Sequence, residues 1–499
     1  MTRTLTLPPL AVFAVVVFVF AGELLSGTNL YFASMASLAI VCACVTYNIL
    51  RGLGSISGIA FTRFALSTLL ISQVGKVLVL ERADQNLDAP NIVISVYALY
   101  FFSAMLGTMA FSRIRLPLPK PAEPETETQS RYLYFVSLIG GLVGTALGFQ
   151  ALFRGEAGAS SLAHGISLIL GYFLPFSLVL AVDHRLRTTD GRHFFGWMAF
   201  WPTMVLEVEG FLWGSRQAFA EPFAIIFLTC YLRNFRFRKR HLAVAMGLAA
   251  GFFLFVSPFY LYARSGRESP TFGELATTMI QTLEQAPSEW SMIKYQVGSQ
   301  AVNNSYAVNY FSSPGAVTLN RFALIGPDST LISACATGFH YAFTSLKLDL
   351  LSQIPRVLYH NKPDAGSAQF LGQLDGQEEG FEGATTFTTI TTIADSYGSF
   401  GWLGVIVFAF FGLPAVFVVY ESMFDMQKPW GTVATLYLLL GLTEGSMGQI
   451  MVNGIIKDPL YVLVLSWVAA WIVRMIPTTG DRYVTVRRDL WDSGPLEVG

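Results

Sequence analysis

The sequence predicts an all-α integral membrane protein that crosses the bilayer about twelve times. Of its 499 residues, 53% are hydrophobic and only 13% are charged, and the mean hydropathy is +0.51. Soluble domains carry about twice that charged fraction, and apolar runs of about 20 residues, the length that crosses a bilayer, recur along most of the chain. The net charge of −1 excludes a basic nucleic-acid-binding protein.

Each predicted transmembrane helix is an apolar segment bounded by polar or charged residues. The first is expected to be retained, because only Arg3 precedes it and no small-residue cleavage pattern follows. The segments are 10–26, 30–49, 58–80, 91–112, 132–152, 162–182, 194–213, 217–233, 242–262, 397–420, 432–451 and 457–475.

The distribution of Lys and Arg sets the predicted orientation. Most of those in short loops fall on the side that holds the N-terminus, which predicts that both termini are cytoplasmic. Residues 1–262 then hold helices one to nine, residues 397–476 hold helices ten to twelve, and residues 477–499 form a cytoplasmic tail. The Pro/Glu/Thr-rich stretch 114–130 is predicted to be a disordered cytoplasmic linker. Residues 263–396 form a large ordered outer loop, with an amphipathic helix around 329–353.

Ionisable residues gather where the predicted helices meet the outer surface. Such residues are costly near a bilayer and indicate function by default. Structural alternatives remain open for several of these residues. Arg216 could reach lipid phosphates, and Lys76 could anchor its helix at the membrane interface. One of the two glutamates on the seventh helix could form a structural ion pair, and Arg264 and Arg267 could be ordinary loop charges. The residues are Lys76, Glu207, Glu209, Arg216, Glu221, Arg264, Arg267, Asp395, Glu444, Lys457 and Asp458.

No metal or cofactor is expected. The four cysteines lack zinc-ligand spacing, and the sequence contains no HExxH motif, no paired-carboxylate DxD motif, no Walker loop and no GxSxG motif. Nucleotide-driven or divalent-metal chemistry therefore has no motif in this chain.

Two stretches of the outer loop carry a family-like pattern. The first is Ile354–Pro363, with Arg356, Tyr359 and Lys362-Pro363; the second leads into helix ten, with Asp395, Tyr397, Phe400-Gly401 and Gly404. Together they resemble the Wzy-type oligosaccharide repeat-unit polymerases of bacterial surface polysaccharides. Gly214-Ser215-Arg216 resembles the arginine motif of these polymerases and of the related O-antigen ligases. The family often has glutamate where this chain has Asp395, which is one methylene shorter.

The resemblance implies a GT-C-like glycosyltransferase of the bacterial inner membrane with a periplasmic active site. Its substrates would be undecaprenyl-diphosphate-linked oligosaccharides, and the growing glycan would move from its lipid diphosphate to the next repeat unit. The family implies no metal, no cofactor and no nucleic acid. Membrane lipids and a chain-length-regulating co-polymerase are the other expected partners.

The residue types fit this chemistry. Without a metal, the diphosphate leaving group needs cations, and the planar arginine fork binds phosphate oxygens in pairs. Arg216 and Arg356 are therefore the predicted diphosphate ligands, with Lys362, Arg264 and Arg267 as lesser partners.

Asp395 is the predicted general base for the acceptor hydroxyl. Capping the N-terminus of helix ten is its structural alternative. His360 and His340 are the other candidate bases, although a structural role is favoured for His340. Tyr359 and Tyr397 are placed to stack on sugar rings.

Two other functions remain open. An O-antigen ligase would use the same donor with a different acceptor. A transporter or lipid-linked-oligosaccharide flippase would need a charged path through the membrane, and the predicted charges lie mainly at one face.

Overall fold

The computed structural model describes residues 6–124, 126–153, 162–213, 216–252, 310–312, 323–353, 370–371 and 390–475, together with residues 277, 280, 281, 284 and 320. Over these ranges the regular structure is helical, and no strand occurs within them. The all-α prediction is confirmed for this part of the chain.

The described part of the chain contains fifteen helices. They are α1 (Pro9–Leu25), α2 (Leu30–Ile49), α3 (Ile56–Leu78), α4 (Pro90–Phe111), α5 (Glu127–Phe153), α6 (Leu162–Leu170), α7 (Phe173–Thr188), α8 (Trp197–Trp213), α9 (Arg216–Leu232), α10 (Lys239–Gly251), α11 (Ile325–Ala336), α12 (Thr344–Gln353), α13 (Thr392–Met423), α14 (Pro429–Glu444) and α15 (Met447–Met475).

The bundle has the character of a multi-pass membrane protein. In the described residues, seven helical segments are long and apolar enough to cross a bilayer, and α1, α14 and residues 218–232 of α9 are shorter apolar helices. The predicted segments each overlap a helix, but the count of twelve crossings and the GT-C fold stay predictions.

The last two predicted segments have the wrong boundary. The sequence suggested a turn at 452–456, whereas the chain breaks at Gly445-Ser446 and then continues as one helix to Met475. The Ser446 side chain accepts from the Gln449 backbone amide, while the Gln449 side chain accepts from the Ser446 amide, which makes a capping box. Lys457 and Asp458, which were predicted to open a helix, therefore lie inside α15.

Two predictions for the outer loop are also wrong in detail. The helix predicted around 329–353 is two helices, α11 and α12, because Gly338 follows α11 with a φ of +100° and stops it. Helix α13 begins at Thr392 rather than 397. The Thr391 side chain caps it by accepting from the Ile393 amide, so Asp395 is the fourth residue of the helix and not its cap.

Residues 114–124 do not form the predicted disordered linker. The Leu116 amide donates to Ser422 Oγ (2.9 Å) and the Ala122 amide donates to Ser466 Oγ (3.0 Å), which lays this segment along the ends of α13 and α15. The prolines of this segment have no backbone N–H group, and at the surface of the bundle no hydrogen bond is lost for want of one.

The core lies among α2, α3, α4 and α13. Helix α2 packs along α4, and α13 packs on α4 as well. Rings from α3, α4 and α13 meet at centroid distances of 5.8–6.4 Å with tilted or edge geometry. Gly107 has no room for a methyl group, since the Phe410 backbone lies against it, and this close approach fixes α4 to α13.

Candidate functional site

The candidate site lies where the loop helices α11 and α12 meet the first turns of α13 and α15. Three buried aspartates make this joint, one from each of α11, α12 and α13, and each is at most 3% exposed. We call Asp328, Asp349 and Asp395 the aspartate clamp. Each of the three accepts hydrogen bonds from a neighbouring helix or helix end, so together they fix the loop helices to the membrane helices.

Asp395 is fully buried and has three donors. Oδ1 accepts from the Tyr341 hydroxyl (2.6 Å), and Oδ2 accepts from Ser345 Oγ (2.9 Å) and from the Met447 backbone amide (2.6 Å). The last bond places the carboxylate at the positive N-terminal end of α15. Asp395 therefore holds α12, α13 and α15 in one arrangement.

Asp328 ties α11 to α4 and to the start of α13. Its Oδ2 accepts from the Tyr97 hydroxyl (2.5 Å) and from the Thr391 hydroxyl, while Oδ1 accepts from the Thr391 amide (2.9 Å). Thr391 is the residue that caps α13, so this bond network sets where that helix begins.

Asp349 completes the clamp from α12. Its Oδ2 accepts from Ser446 Oγ (2.9 Å), the capping hydroxyl of α15. The same oxygen packs against Gly448, and Leu346 also touches this glycine, which leaves no space for a side chain there. Two carboxylates, Asp349 and Asp395, thus sit at the N-terminus of one helix.

The burial of Asp328 makes the free energy of unfolding depend on pH. Desolvation raises the pKa of Asp328 to about 6 despite the hydrogen bonds from Thr391 and Tyr97, which lower it, and Asp395 adds a smaller upward contribution. Between about pH 4 and pH 6 the native state holds a proton that the unfolded chain releases, so the free energy of unfolding falls as the pH rises through this window. The loss amounts to up to about 3 kcal/mol and is complete at pH 7.

We expect thermal unfolding of the detergent-solubilised protein to occur at a higher temperature at pH 5 than at pH 7. In the Asp328→Asn variant this difference should shrink, because the titrating group is gone. An unchanged difference in the variant would contradict the assignment to Asp328.

The head of α13 is kinked at the predicted family motif. Phe400 (φ −142°, ψ 23°) and Gly401 (φ 61°, ψ −145°) leave helical geometry. The kink frees carbonyl groups of the first turns, and the amides of Tyr341 and Ala342 donate to Gly398 O (3.1 Å) and Ser399 O (3.0 Å). The turn between α11 and α12 therefore lies directly on the kink.

Aromatic groups and one imidazole surround this kink. The rings of Tyr397 and His340 are 5.9 Å apart, those of Tyr397 and Trp402 are 5.3 Å apart, and those of Phe343 and Phe400 are 4.7 Å apart. His340 is exposed, as are Phe343 (63%) and Trp402 (44%). We call His340, Phe343, Tyr397 and Trp402 the aromatic mouth. Phe343 and Trp402 offer exposed apolar faces beside the His340 imidazole, whereas Tyr397, predicted to stack on a sugar ring, is only 5% exposed and supports the other rings instead.

A second acidic group lies deeper in the bundle. The Thr145 hydroxyl donates to Glu209 (3.2 Å), and the Tyr172 hydroxyl donates to Asp458 (2.6 Å). The Tyr437 hydroxyl interacts electrostatically with three carboxylates, those of Glu221, Asp458 and Glu209. We call Glu209, Glu221 and Asp458 the inner acidic cluster. Asp458 is the twelfth residue of α15, about 17 Å along that helix from its start.

Two other predicted boundary charges do not join these groups. Lys76, expected at the interface, is fully buried; its Nζ pairs with Glu81 (2.8 Å) and lies 4.4 Å from the centre of the Tyr310 ring. Both carboxylate oxygens of Glu207 are buried without a hydrogen bond among the described residues.

Most of the predicted diphosphate ligands fall outside the described part of the chain. Arg216 begins α9, but its side chain is among those that are not described. The others outside the described residues are Arg264, Arg267, Arg356, Tyr359, His360 and Lys362. Among the predicted site residues the structure brings together Asp395, Tyr397 and His340.

Sequence reasoning missed Asp328, Asp349 and Tyr341. A carboxylate within an otherwise apolar stretch, as in Leu348-Asp349-Leu350-Leu351, was the available signal, because burying a charge is costly unless it is paired.

Comparisons with known proteins give no match to any family model, to any curated protein or to any solved structure.

Proposed function

We propose that this chain is a membrane glycosyltransferase that polymerises oligosaccharide repeat units carried on undecaprenyl diphosphate, at the periplasmic face of the bacterial inner membrane. The observation that carries the proposal is the joint at the kinked head of α13. Each described residue of the family-like motif, from Asp395 through Gly404, has a physical role there.

The joint supports a glycan-binding role for the mouth. Asp395 positions the turn that bears His340, the kink at Phe400-Gly401 receives that turn, and Trp402, backed by the buried Tyr397 ring, presents a ring face beside it. Sugar rings stack on such faces through their apolar C–H surfaces. A flat exposed aromatic group beside a polar side chain is what an amphipathic glycan requires.

The proposed reaction moves a glycan between two oxygen atoms. The bond from the anomeric carbon of the donor glycan to its lipid diphosphate breaks, and the diphosphate leaves with the electron pair. A hydroxyl of the acceptor repeat unit forms the new bond to that carbon and gives its proton to a base. Arg216 and Arg356, with Lys362, Arg264 and Arg267, are proposed to stabilise the growing negative charge on the diphosphate.

The geometry favours a general base other than Asp395, the residue predicted from the sequence. Asp395 is completely buried and already accepts three hydrogen bonds, so it suits a positioning role. His340 is exposed at the mouth and can accept a proton from an incoming hydroxyl. We therefore propose His340 as the base within the described residues, with His360 as the alternative.

The direct test is elongation of a purified lipid-diphosphate-linked repeat unit by the purified protein. We expect polymer without added metal ion, and a loss of about 10²-fold or more in rate for His340→Ala, Arg216→Ala and Arg356→Ala. His193→Ala is the matched control, because His193 is exposed in the α7–α8 connection, away from the mouth, and should keep full activity. Wild-type polymer from all three site variants would refute the proposed site.

The inner acidic cluster favours a second candidate, a lipid-linked-oligosaccharide flippase. Three carboxylates from α8, α9 and α15 approach one tyrosine inside the bundle, and buried ionisable groups of this kind mark substrate or proton paths through membranes. A flippase reconstituted in vesicles would move the labelled repeat unit between leaflets without lengthening it. A ligase would attach it to a different acceptor lipid, so the product identifies which of the three activities the chain has.

A further inference from the structure

A pocket opens at the end of the bundle opposite the aspartate clamp. Asp395 lies in the first turn of α13 and Glu421 near its end, about 39 Å of helix later. The pocket is a small open cleft with about 30 Å³ of free volume, enough for a small polar group but far below a site for a drug-sized molecule. It lies between the start of α3 and the ends of α2, α4 and α13, and Arg51, Ser57, Thr108, Arg115 and Glu421 are among its lining residues.

Two arginines stand at its rim. Arg115 Nη1 donates to the carbonyls of Ser112 (3.0 Å) and Ile114 (2.9 Å), while its Nη2 lies 3.7 Å from Glu421. This arrangement holds the guanidinium in place before any ligand arrives. Arg51 also lines the pocket, so its walls carry two positive charges against the single negative charge of Glu421.

Two hydroxyl groups in the pocket wall have no hydrogen-bond partner. Ser57 is fully buried and Thr108 is 1% exposed, and neither oxygen has a partner among the described residues. Leaving a buried hydroxyl unsatisfied costs about 1–3 kcal/mol. Both hydroxyls belong to residues that line the pocket, and an acceptor oxygen bound there would give them the partner that they lack.

Arg51 occupies an unusual backbone conformation. Its φ of 65° lies in the left-handed region, where a side chain other than glycine is disfavoured, although glycine follows it at position 52. A glycine at 51 would relax the backbone. The arginine side chain is thus kept at a position where the backbone alone would favour glycine.

We propose that this pocket binds a phosphate group, with Arg51 and Arg115 as charged ligands and the Ser57 and Thr108 hydroxyls as donors. Phosphate oxygens accept from guanidinium forks and hydroxyls at once, and the rim leaves a net positive charge for them. The phosphate can come from a lipid headgroup in the adjoining leaflet or from a soluble phosphate ester. The site is separate from the proposed glycosyl-transfer site and does not depend on it.

The test is ligand binding to the detergent-purified full chain, followed by native mass spectrometry. The probes are phosphatidylglycerol, diacylglycerol with the same acyl chains, and sn-glycerol 3-phosphate. We expect phosphatidylglycerol to bind and diacylglycerol not to bind. Binding of glycerol 3-phosphate at similar occupancy identifies a soluble ester as the ligand type, and its absence identifies a lipid headgroup.

Substitutions of Arg51 and Glu421 should change the affinity for phosphatidylglycerol in opposite directions. Arg51→Gly should weaken phosphatidylglycerol binding roughly tenfold or more without lowering the unfolding temperature, because it removes a charged ligand and relaxes the backbone. Glu421→Gln should strengthen binding several-fold, since the amide oxygen can still accept from the Ser57 amide while the competing negative charge is removed. Arg113→Gly is the matched control, as Arg113 is exposed in the segment that carries Arg115 and does not line the pocket.

The proposal is overturned if diacylglycerol binds as well as phosphatidylglycerol, if neither phosphate probe binds, or if Arg51→Gly and Arg113→Gly bind phosphatidylglycerol equally. A misfolded variant cannot mimic the expected result, because misfolding does not raise affinity in Glu421→Gln.

Discussion

Asp395→Ala is expected to lower the free energy of unfolding by about 3–5 kcal/mol. The substitution leaves the Tyr341 hydroxyl, the Ser345 hydroxyl and the Met447 amide without an acceptor in a region closed to water. Each such group costs about 1–3 kcal/mol when it stays unsatisfied. It also removes the negative charge that faces the N-terminus of α15. Chemical denaturation in detergent micelles measures the change.

Asp88→Asn is the control for this prediction. Asp88 is an exposed acidic residue of the α3–α4 connection, so its replacement should change stability by less than about 0.5 kcal/mol. If Asp395→Ala were as stable as Asp88→Asn, the aspartate clamp would not hold the loop helices as described.

A second substitution of Asp395, by asparagine, distinguishes a positioning role of this residue from a catalytic role. Asp395→Asn keeps one oxygen acceptor but presents an amide N–H₂ to groups that themselves donate, so the turn bearing His340 should shift. We expect elongation to fall in both Asp395→Asn and His340→Ala. The double variant should be no slower than His340→Ala, because Asp395 acts through the position of His340. Fully additive losses would show that Asp395 acts independently of His340.

The membrane-spanning segments could be predicted because hydropathy is a local property. Runs of apolar residues located the long apolar helices, and the motif from Asp395 to Gly404 marked the head of α13. Helix ends were harder, since hydropathy does not distinguish a turn from a helix that carries charges. Lys457-Asp458 interrupts an apolar run and looked like the start of a helix, whereas the true break was signalled by the less conspicuous capping pair Ser446 and Gln449.

Contacts between distant parts of the chain could not be predicted. Lys76 looked like an interfacial anchor because the Tyr310 ring, 234 residues away in the sequence, comes beside its ammonium group only in the folded state. Asp328 meets Thr391 and Tyr97 across long sequence separations, and nothing local distinguishes it from a surface aspartate. The charge of Asp395 was recognised as important, but its burial and three donors depend on where α12 and α15 pack. Local patterns thus locate the site, and tertiary packing decides which groups face the substrate.

Gly401→Ala should release the turn between α11 and α12 from the head of α13. A φ of 61° with a ψ of −145° is a conformation that essentially only glycine adopts, and a methyl group there would lie 3.1 Å from Nε2 of His340. The helix can avoid both penalties only by closing the kink, which would withdraw the carbonyls of Gly398 and Ser399 from the turn. We expect a loss of about 2–3 kcal/mol in stability.

Limited proteolysis reports this release directly. Lys347 lies exposed on α12, and a freed α12 should be cut there by trypsin several times faster than in the wild type. Gly441→Ala is the matched control: Gly441 lies in α14 with open space around its Cβ position, so alanine there should keep or raise helix stability and leave cleavage unchanged. Equal cleavage rates in the two variants would show that the kink does not hold the turn, and would remove the structural basis for placing His340 at the mouth.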